Sequence, residues 1–195
     1  LLLITGLNRE SYTWGFYGHK RINRMAVFTL PPELFTFYKY HIEFVTEHAI
    51  DPDKRRYGVD GEAERHFIDF DHYTKTKDFS VMPRKWDEAV AKFSEDTLKA
   101  YGIVPWHIEV MYKRLMWAFK DENLDRILRT SSDIGHYIAD AHVPLHTKEN
   151  YNGQKTNQKG IHGFWESRIP EMKAEGYNYF VGRAQYIESP LNMAW

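Results

Sequence analysis

The 195-residue chain contains no cysteine. That excludes disulfide frameworks and thiolate metal sites, so any metal must be held by nitrogen and oxygen. Charge of one sign is lacking too. The 26 Lys and Arg against 27 Asp and Glu leave a net charge of −1, and no overall field points to nucleic acid or an anionic membrane. Apolar runs are scarce: only Leu1-Leu-Leu-Ile-Thr-Gly-Leu7 stands out, and no other stretch is long and apolar enough to span a bilayer. Repeats and low-complexity tracts do not occur. What is present is histidine, ten in all, and an aromatic content of 16% spread through the chain. The aromatics supply a large-residue core, with some left to line an apolar cleft.

The length suits one domain, and no shift in composition divides it. Helical punctuation recurs from Trp14 onward. The segment His19 to Leu30 carries Ile22, Met25 and Ala26 on one side and is stopped by Pro31-Pro32. Pro32 then opens a helix to about Ala49, with Leu34, Tyr38, Ile42 and Val45 in one stripe. A charged loop is expected from Asp51 to about Glu62. The short segment His66 to Tyr73 alternates like a strand, but its length decides nothing. Further helices are expected over Trp86–Tyr101, capped by Gly102, from Pro105 to about Lys120, and from an Asp121 cap through Ile138. Thr147 to Gly160 reads as a polar loop, and Ile161 to about Ala174 returns to helix. The predicted architecture is all-α.

The chemistry concentrates in His136-Tyr-Ile-Ala-Asp140-Ala-His-Val-Pro-Leu-His146 and His162-Gly-Phe-Trp-Glu166. On a helix, residues four apart share a face, which pairs His136 with Asp140 and His162 with Glu166. Facing imidazole and carboxylate pairs are how helical bundles build multi-metal sites, and a cluster of zinc ions between helices is the economical reading.

Five motifs, in order, carry a resemblance to a known superfamily. They are Trp14-Gly-Phe-Tyr-Gly-His19, His48-Ala-Ile-Asp51, His66-Phe-Ile-Asp69, the His136 to His146 segment, and His162-Gly-Phe-Trp-Glu166. Together the chain resembles the superfamily that joins zinc-dependent phospholipase C with single-strand-specific zinc nucleases of the S-one/P-one type. The resemblance implies a single-domain helical bundle built around three zinc ions. Trp14, as the mature N-terminus, would hold one ion through its α-amine and carbonyl, with His19 and Asp140. Asp51, His66, His136 and again Asp140 would hold a second. His146, His162 and Glu166 would hold the third. A chelating α-amine requires cleavage just before Trp14, which makes residues 1–13 a truncated signal peptide with Ser11 and Thr13 near the cut. Residues 14–195 then form a secreted or periplasmic phosphodiesterase domain, with both chain ends read as those of a fragment.

The implied reaction is phosphodiester hydrolysis. Two zinc ions activate a water that attacks phosphorus, the third grips a phosphate oxygen, and Asp51 orients the nucleophile or acts as general base. Asp53 is the rival for that place; Asp51 is preferred because its separation from His66 is nearer the family pattern. Phe67 and Asp69 match the base-binding step of the nucleases, with packing plus a hydrogen bond as the plain alternative. Asp71 and His72 read as cleft wall or surface, and His142 as a support for the ligands. His41, His48 and His107 read as surface or core histidines. Lys54-Arg55-Arg56 is a solvated charge run or a phosphate contact. Glu166, where the nucleases usually carry Asp, and the missing cysteines favour a phospholipid head group as substrate. Single-stranded nucleic acid is the alternative, and a non-catalytic zinc-stabilised binding module the third reading. No stable macromolecular partner is implied.

Overall fold

The computed structural model describes residues 15–76 and 78–195. The expectations for the signal segment 1–13 and for Trp14 lie outside the described residues. Everything described is helix or connection, with no strand among the described residues. The all-α expectation therefore holds.

Helix α1 (Gly15–Val27) is followed by α2 (Pro32–Tyr40) and α3 (Ile42–Glu47). The expected continuous helix to Ala49 is broken at His41, whose ψ of 19° takes the chain out of α geometry, and it ends in a 3-10 turn, His48–Ile50. Next comes α4 (Asp51–Arg55), where a loop was expected. Its first turn holds Pro52, Asp51 and Asp53 and its last turn Lys54 and Arg55, an order that suits the helix dipole and compensates for the short length. The segment 63–73 is a 3-10 turn, Ala63–His66, followed by α5 (Phe70–Tyr73). Its apparent alternation is that of two helical turns at an angle.

Helices α6 (Trp86–Phe93) and α7 (Glu95–Ala100) replace the single helix expected there. Ser94 divides them at φ +68° and its hydroxyl caps α7 by accepting from the Thr97 N–H at 3.3 Å. Gly102 sits at φ +89°, and a Cβ there would stand 2.2 Å from the Phe67 carbonyl oxygen. This close approach holds the 66–69 segment against the start of the long helix α8 (Val104–Lys120), where the Val104 N–H donates to that same carbonyl at 3.2 Å.

A three-residue turn leads from α8 into α9 (Leu124–Ala141), and the two make the most extensive helix pairing in the molecule. Asn123, rather than Asp121, caps α9, its side chain accepting from the Arg126 N–H at 3.0 Å. After a 3-10 turn, Pro144–Thr147, and the polar loop, α10 (Ile161–Gly163) runs through a π-helical turn, Phe164–Arg168, into α11 (Ile169–Lys173). Finally α12 (Pro190–Ala194) packs on α8. No helix among the described residues is long and apolar enough to cross a membrane.

Among the described residues two apolar clusters hold the fold. One gathers Ile68, Leu98, Val104, Trp106 and Met111 with Tyr137. The other gathers Val27, Tyr38, Ile42 and Val45 with Ile127 and Leu128. Helix α9 feeds both, and its C-terminal half carries buried His136 and Asp140. Its approach to α1 is close because residue 135 is glycine: a Cβ there would stand 2.2 Å from Asn23 Oδ1. The Asn23 amide in turn donates to the Ser132 carbonyl at 3.0 Å and the Val45 carbonyl at 3.3 Å. One turn before Asn23, this close contact brings His19 of α1 against α9.

Candidate metal centre

His19 stacks on His136 with ring centroids 3.7 Å apart, and both lie near Asp140 in the middle of the molecule. All three are fully buried. Asp140 divides its carboxylate: Oδ1 lies 3.4 Å from His19 Nε2, while Oδ2 lies 2.8 Å from His66 Nδ1 and 3.3 Å from His136 Nε2. Asp53 Oδ1 joins from α4, 3.7 Å from His136 Nε2 and 3.9 Å from His66 Nδ1. Two groups of potential metal ligands result, His19–His136–Asp140 and Asp53–His66–His136, each with its donor atoms within 4.8 Å of one another. They share His136, and Asp140 lies between them.

A third group is His146, His162 and Glu166. Glu166 Oε1 stands 3.3 Å from His146 Nε2 and Oε2 stands 2.9 Å from His162 Nε2. His146 comes from the 3-10 turn after α9, the other two from α10 and the π-helical turn. The 66–68 segment is stitched to that 3-10 turn: the Ile68 N–H donates to the His146 carbonyl at 2.8 Å, and His146 Nδ1 donates to the His66 carbonyl at 2.5 Å.

Three imidazoles are held in the same way. Nδ1 of His136 faces the Ala49 carbonyl at 2.8 Å, Nδ1 of His146 that of His66, and Nδ1 of His162 that of Tyr151 at 3.1 Å. A carbonyl only accepts, so each Nδ1 carries the proton in the neutral ring and each Nε2 presents a lone pair towards a carboxylate. Lone pair against carboxylate is repulsive unless a cation or an extra proton lies between. Both His19 ring nitrogens, Asp140 Oδ1, His146 Nε2 and both Glu166 oxygens are buried without a hydrogen-bond partner. A backbone-tethered Nδ1 with an unsatisfied Nε2, seen at His146, is the arrangement of metal-binding histidine. An all-nitrogen-and-oxygen donor set of this kind fits zinc.

The electrostatics lean the same way. Burial would raise the Asp140 carboxyl, but His136, His146 and His19 outweigh it and hold it well below the usual carboxylate range. Burial opposes charge on His146, yet Asp140 and Glu166 push it up to about 9. His136 is raised against burial by Asp140 and Asp53, whereas burial and the neighbouring His136 lower His19. These groups attract positive charge, and protons take that role without metal.

Of the residues singled out by the motifs, the structure brings together His19, His66, His136, Asp140, His146, His162 and Glu166. It does not bring Asp51. That carboxylate turns outward, 2.5 Å from His48 Nδ1 and 3.1 Å from Lys54 Nζ, and Asp53 occupies the place beside His66 and His136. The reason is helical phase: both lie on α4, where two residues rotate the side chain by about 200°. Phe67 is half-buried beside α8 and engaged through its carbonyl. Asp69 is half-buried, its N–H donating to the Tyr101 carbonyl at 2.7 Å. Burial, Asp71 and Glu149 raise its carboxyl to about 6. Asp71 accepts from the Glu149 N–H at 3.0 Å and so tethers the polar loop, while His72 stacks on Tyr101 with ring centroids 3.3 Å apart. His142 is exposed and hydrogen-bonds its own helix, away from the ligands.

Sequence reasoning missed a second buried polar group. Arg55, read as part of a solvated run, donates to Asp133 at 3.0 and 3.3 Å and to Tyr137 Oη at 3.4 Å. Tyr137 donates to Glu62 Oε1, and Arg65 donates to Glu62 Oε2 at 2.7 Å. Glu62 is 1% exposed. Burial would raise its carboxyl, but His66, Tyr137 and the two arginines hold it down at about 2. The only hint in the sequence was the four-residue spacing of Glu62 and His66, which resembles any helical pair. Comparison with family models, with curated proteins and with solved structures finds no match for this chain.

Proposed function

We propose that the chain is a zinc-dependent hydrolase of phosphodiester bonds, similar to zinc-dependent phospholipase C, that acts on phospholipid head groups outside the cytoplasm. The observation that carries the reading is the set of buried, carbonyl-tethered histidines whose Nε2 atoms converge on Asp140 and Glu166. His19, Asp53, His66, His136 and Asp140 would hold a pair of ions, and His146, His162 and Glu166 one more. Zinc, when bound, supplies Lewis acidity and lowers the pKa of water towards neutrality.

The protein's own groups do the rest. Asp140 offers one oxygen to each side and so keeps the two halves of the pair in register. Asp53, whose side chain is 10% exposed while His66 and His136 are fully buried, is the carboxylate of the pair nearest solvent. It is the group placed to orient a water or accept its proton. The buried histidines exclude bulk solvent and strengthen every charge interaction among them.

An apolar depression of about 220 Å³, lined by Pro144, Leu145, Ile161 and Trp165, adjoins His146 and His162 in the chain. Carbon walls suit the hydrocarbon of a lipid better than a sugar-phosphate chain, which supports the phospholipid reading over single-stranded nucleic acid. Protein loaded with zinc and then given phosphatidylcholine vesicles, single-stranded DNA or a chromogenic phosphodiester, each with and without chelator, tests this. Chelator-sensitive release of head group is expected. Cleavage of DNA alone would select the nuclease, and bound zinc with no turnover the binding module. Asp53→Asn is expected to lose about 100-fold or more of the rate, within the range for a positioned acid or base. Asp51→Asn should stay within about threefold; the reverse order would return the role to Asp51.

A further inference from the structure

His66 is held differently from the three tethered histidines. Its Nδ1 faces the cluster, 2.8 Å from Asp140 Oδ2 and 3.1 Å from His136 Nε2. Because His136 is protonated on Nδ1 towards Ala49, its Nε2 lone pair and two carboxylates meet at His66 Nδ1, where a proton or a cation must lie. The other nitrogen, Nε2, is buried without a hydrogen-bond partner, and the nearest acidic oxygen is Glu62 Oε1 at 3.8 Å. Among the described residues no backbone carbonyl fixes this ring, and the charge behind it is a carboxylate.

We propose that Glu62 is a positioning residue for metal binding, selecting the tautomer of His66 that carries its proton on Nε2 and offers Nδ1 to the ion. A negative charge behind Nε2–H favours the proton there and raises the basicity of Nδ1, the part carboxylates play behind metal-bound imidazole. Glu62 can act this way because it cannot turn. Tyr137 and Arg55 hold Oε1, Arg65 holds Oε2, and Asp133 anchors Arg55. Tyr137 directly follows the ligand His136 in α9 and packs edge-on against the His66 ring at 5.4 Å, so one helix sets both a ligand and the clamp on its neighbour. The inference rests on the metal reading above and adds that zinc at the pair is tuned from the far side of His66.

The test is long-range proton–nitrogen NMR of the zinc-loaded full chain, with zinc affinity measured by titration against a chelating indicator. In the wild type, His66 should coordinate through Nδ1, whereas His136, His146 and His162 coordinate through Nε2. Glu62→Gln, which keeps the size and one acceptor oxygen but removes the charge and the second acceptor, should weaken one class of zinc site by about 10- to 100-fold and disturb the His66 signals, leaving those of His146 and His162 unmoved. Tyr137→Phe removes one of the groups holding Glu62 and should produce a smaller loss at the same site, which keeps the test open if Glu62→Gln fails to fold. Coordination through His66 Nε2, or unchanged affinity and His66 signals in the variants, overturns the role of Glu62 alone. A wild type that takes up no zinc overturns the metal reading and this proposal with it.

Discussion

Two groups of polar side chains are buried side by side in this molecule, and they are balanced in opposite ways. Around Glu62 the charges close on themselves: Arg55 and Arg65 face Glu62 and Asp133, and Tyr137 takes a remaining lone pair. Around Asp140 and Glu166 the group closes only in part, at Asp140 Oδ2 against His66 Nδ1. Carboxylates face imidazole nitrogens, and Asp140 Oδ1, His146 Nε2 and both Glu166 oxygens lack a hydrogen-bond partner. A protein normally satisfies what it buries, because an unpaired buried polar group costs about 1–3 kcal/mol. The first group is therefore closed among protein atoms, and the second leaves donor atoms that could hold metal ions. Location adds nothing to this distinction, since both groups meet at His66 and α9.

The comparison breaks most severely at Asp140. Asp140→Asn keeps the shape but removes the charge shared by the two halves of the pair, so the rate should fall on the order of 10³-fold, comparable to removing a charge-stabilising group. Elemental analysis should show loss of the paired ions with the His146–His162–Glu166 ion retained. Unchanged metal content would place Asp140 in a closed network after all.

Breaking the closed group should cost stability. Arg55→Met leaves Glu62 and Asp133 without their shared cation. About 2 kcal/mol is expected in urea unfolding with chelator present, less than for a fully buried pair because the Arg55 side chain is 35% exposed. Zinc should still bind, with a modest loss of affinity confined to the site that includes His66, because Arg55 is one of the groups that hold Glu62. A loss below about 0.5 kcal/mol would show that Arg55 is only decorating a group stable without it.

The smallest effect concerns His107, which borders the closed group, 4.5 Å edge-on from Tyr137. Burial, together with Arg65 and Arg114, lowers its pKa to about 3 against the pull of Glu62. Between pH 6.5 and 3 the unfolded chain binds a proton that the folded chain refuses, so stability falls as the pH drops through that window. His107→Phe should remove up to ~2 kcal/mol of the loss between pH 6.5 and 5, the limit of one proton over that interval. An unchanged slope in metal-free protein would assign acid sensitivity to other groups.

Much of this was legible from local rules. Spacing placed His136 with Asp140 and His162 with Glu166, and Pro105 marked the start of α8. Helix ends were less legible. His41 and Ser94 interrupt helices that periodicity would continue, because apolar spacing reports a face and is silent about a break within it. Asp51 and Asp53 were separable only once the 51–55 segment proved to be a helix docked through Arg55, since its phase decides which carboxylate faces inward.

The sequence by itself determined the helical class and the donor chemistry, since side-chain type and short-range periodicity are properties of neighbours along the chain. Tertiary structure decided which helices meet: Gly135 lets α1 approach α9 so that His19 reaches His136, and Glu62 comes to stand behind His66 while held by Tyr137 and Arg55. Those contacts join residues up to 117 positions apart, as between His19 and His136. Their geometry follows from packing two helices at a small residue, which no local pattern records.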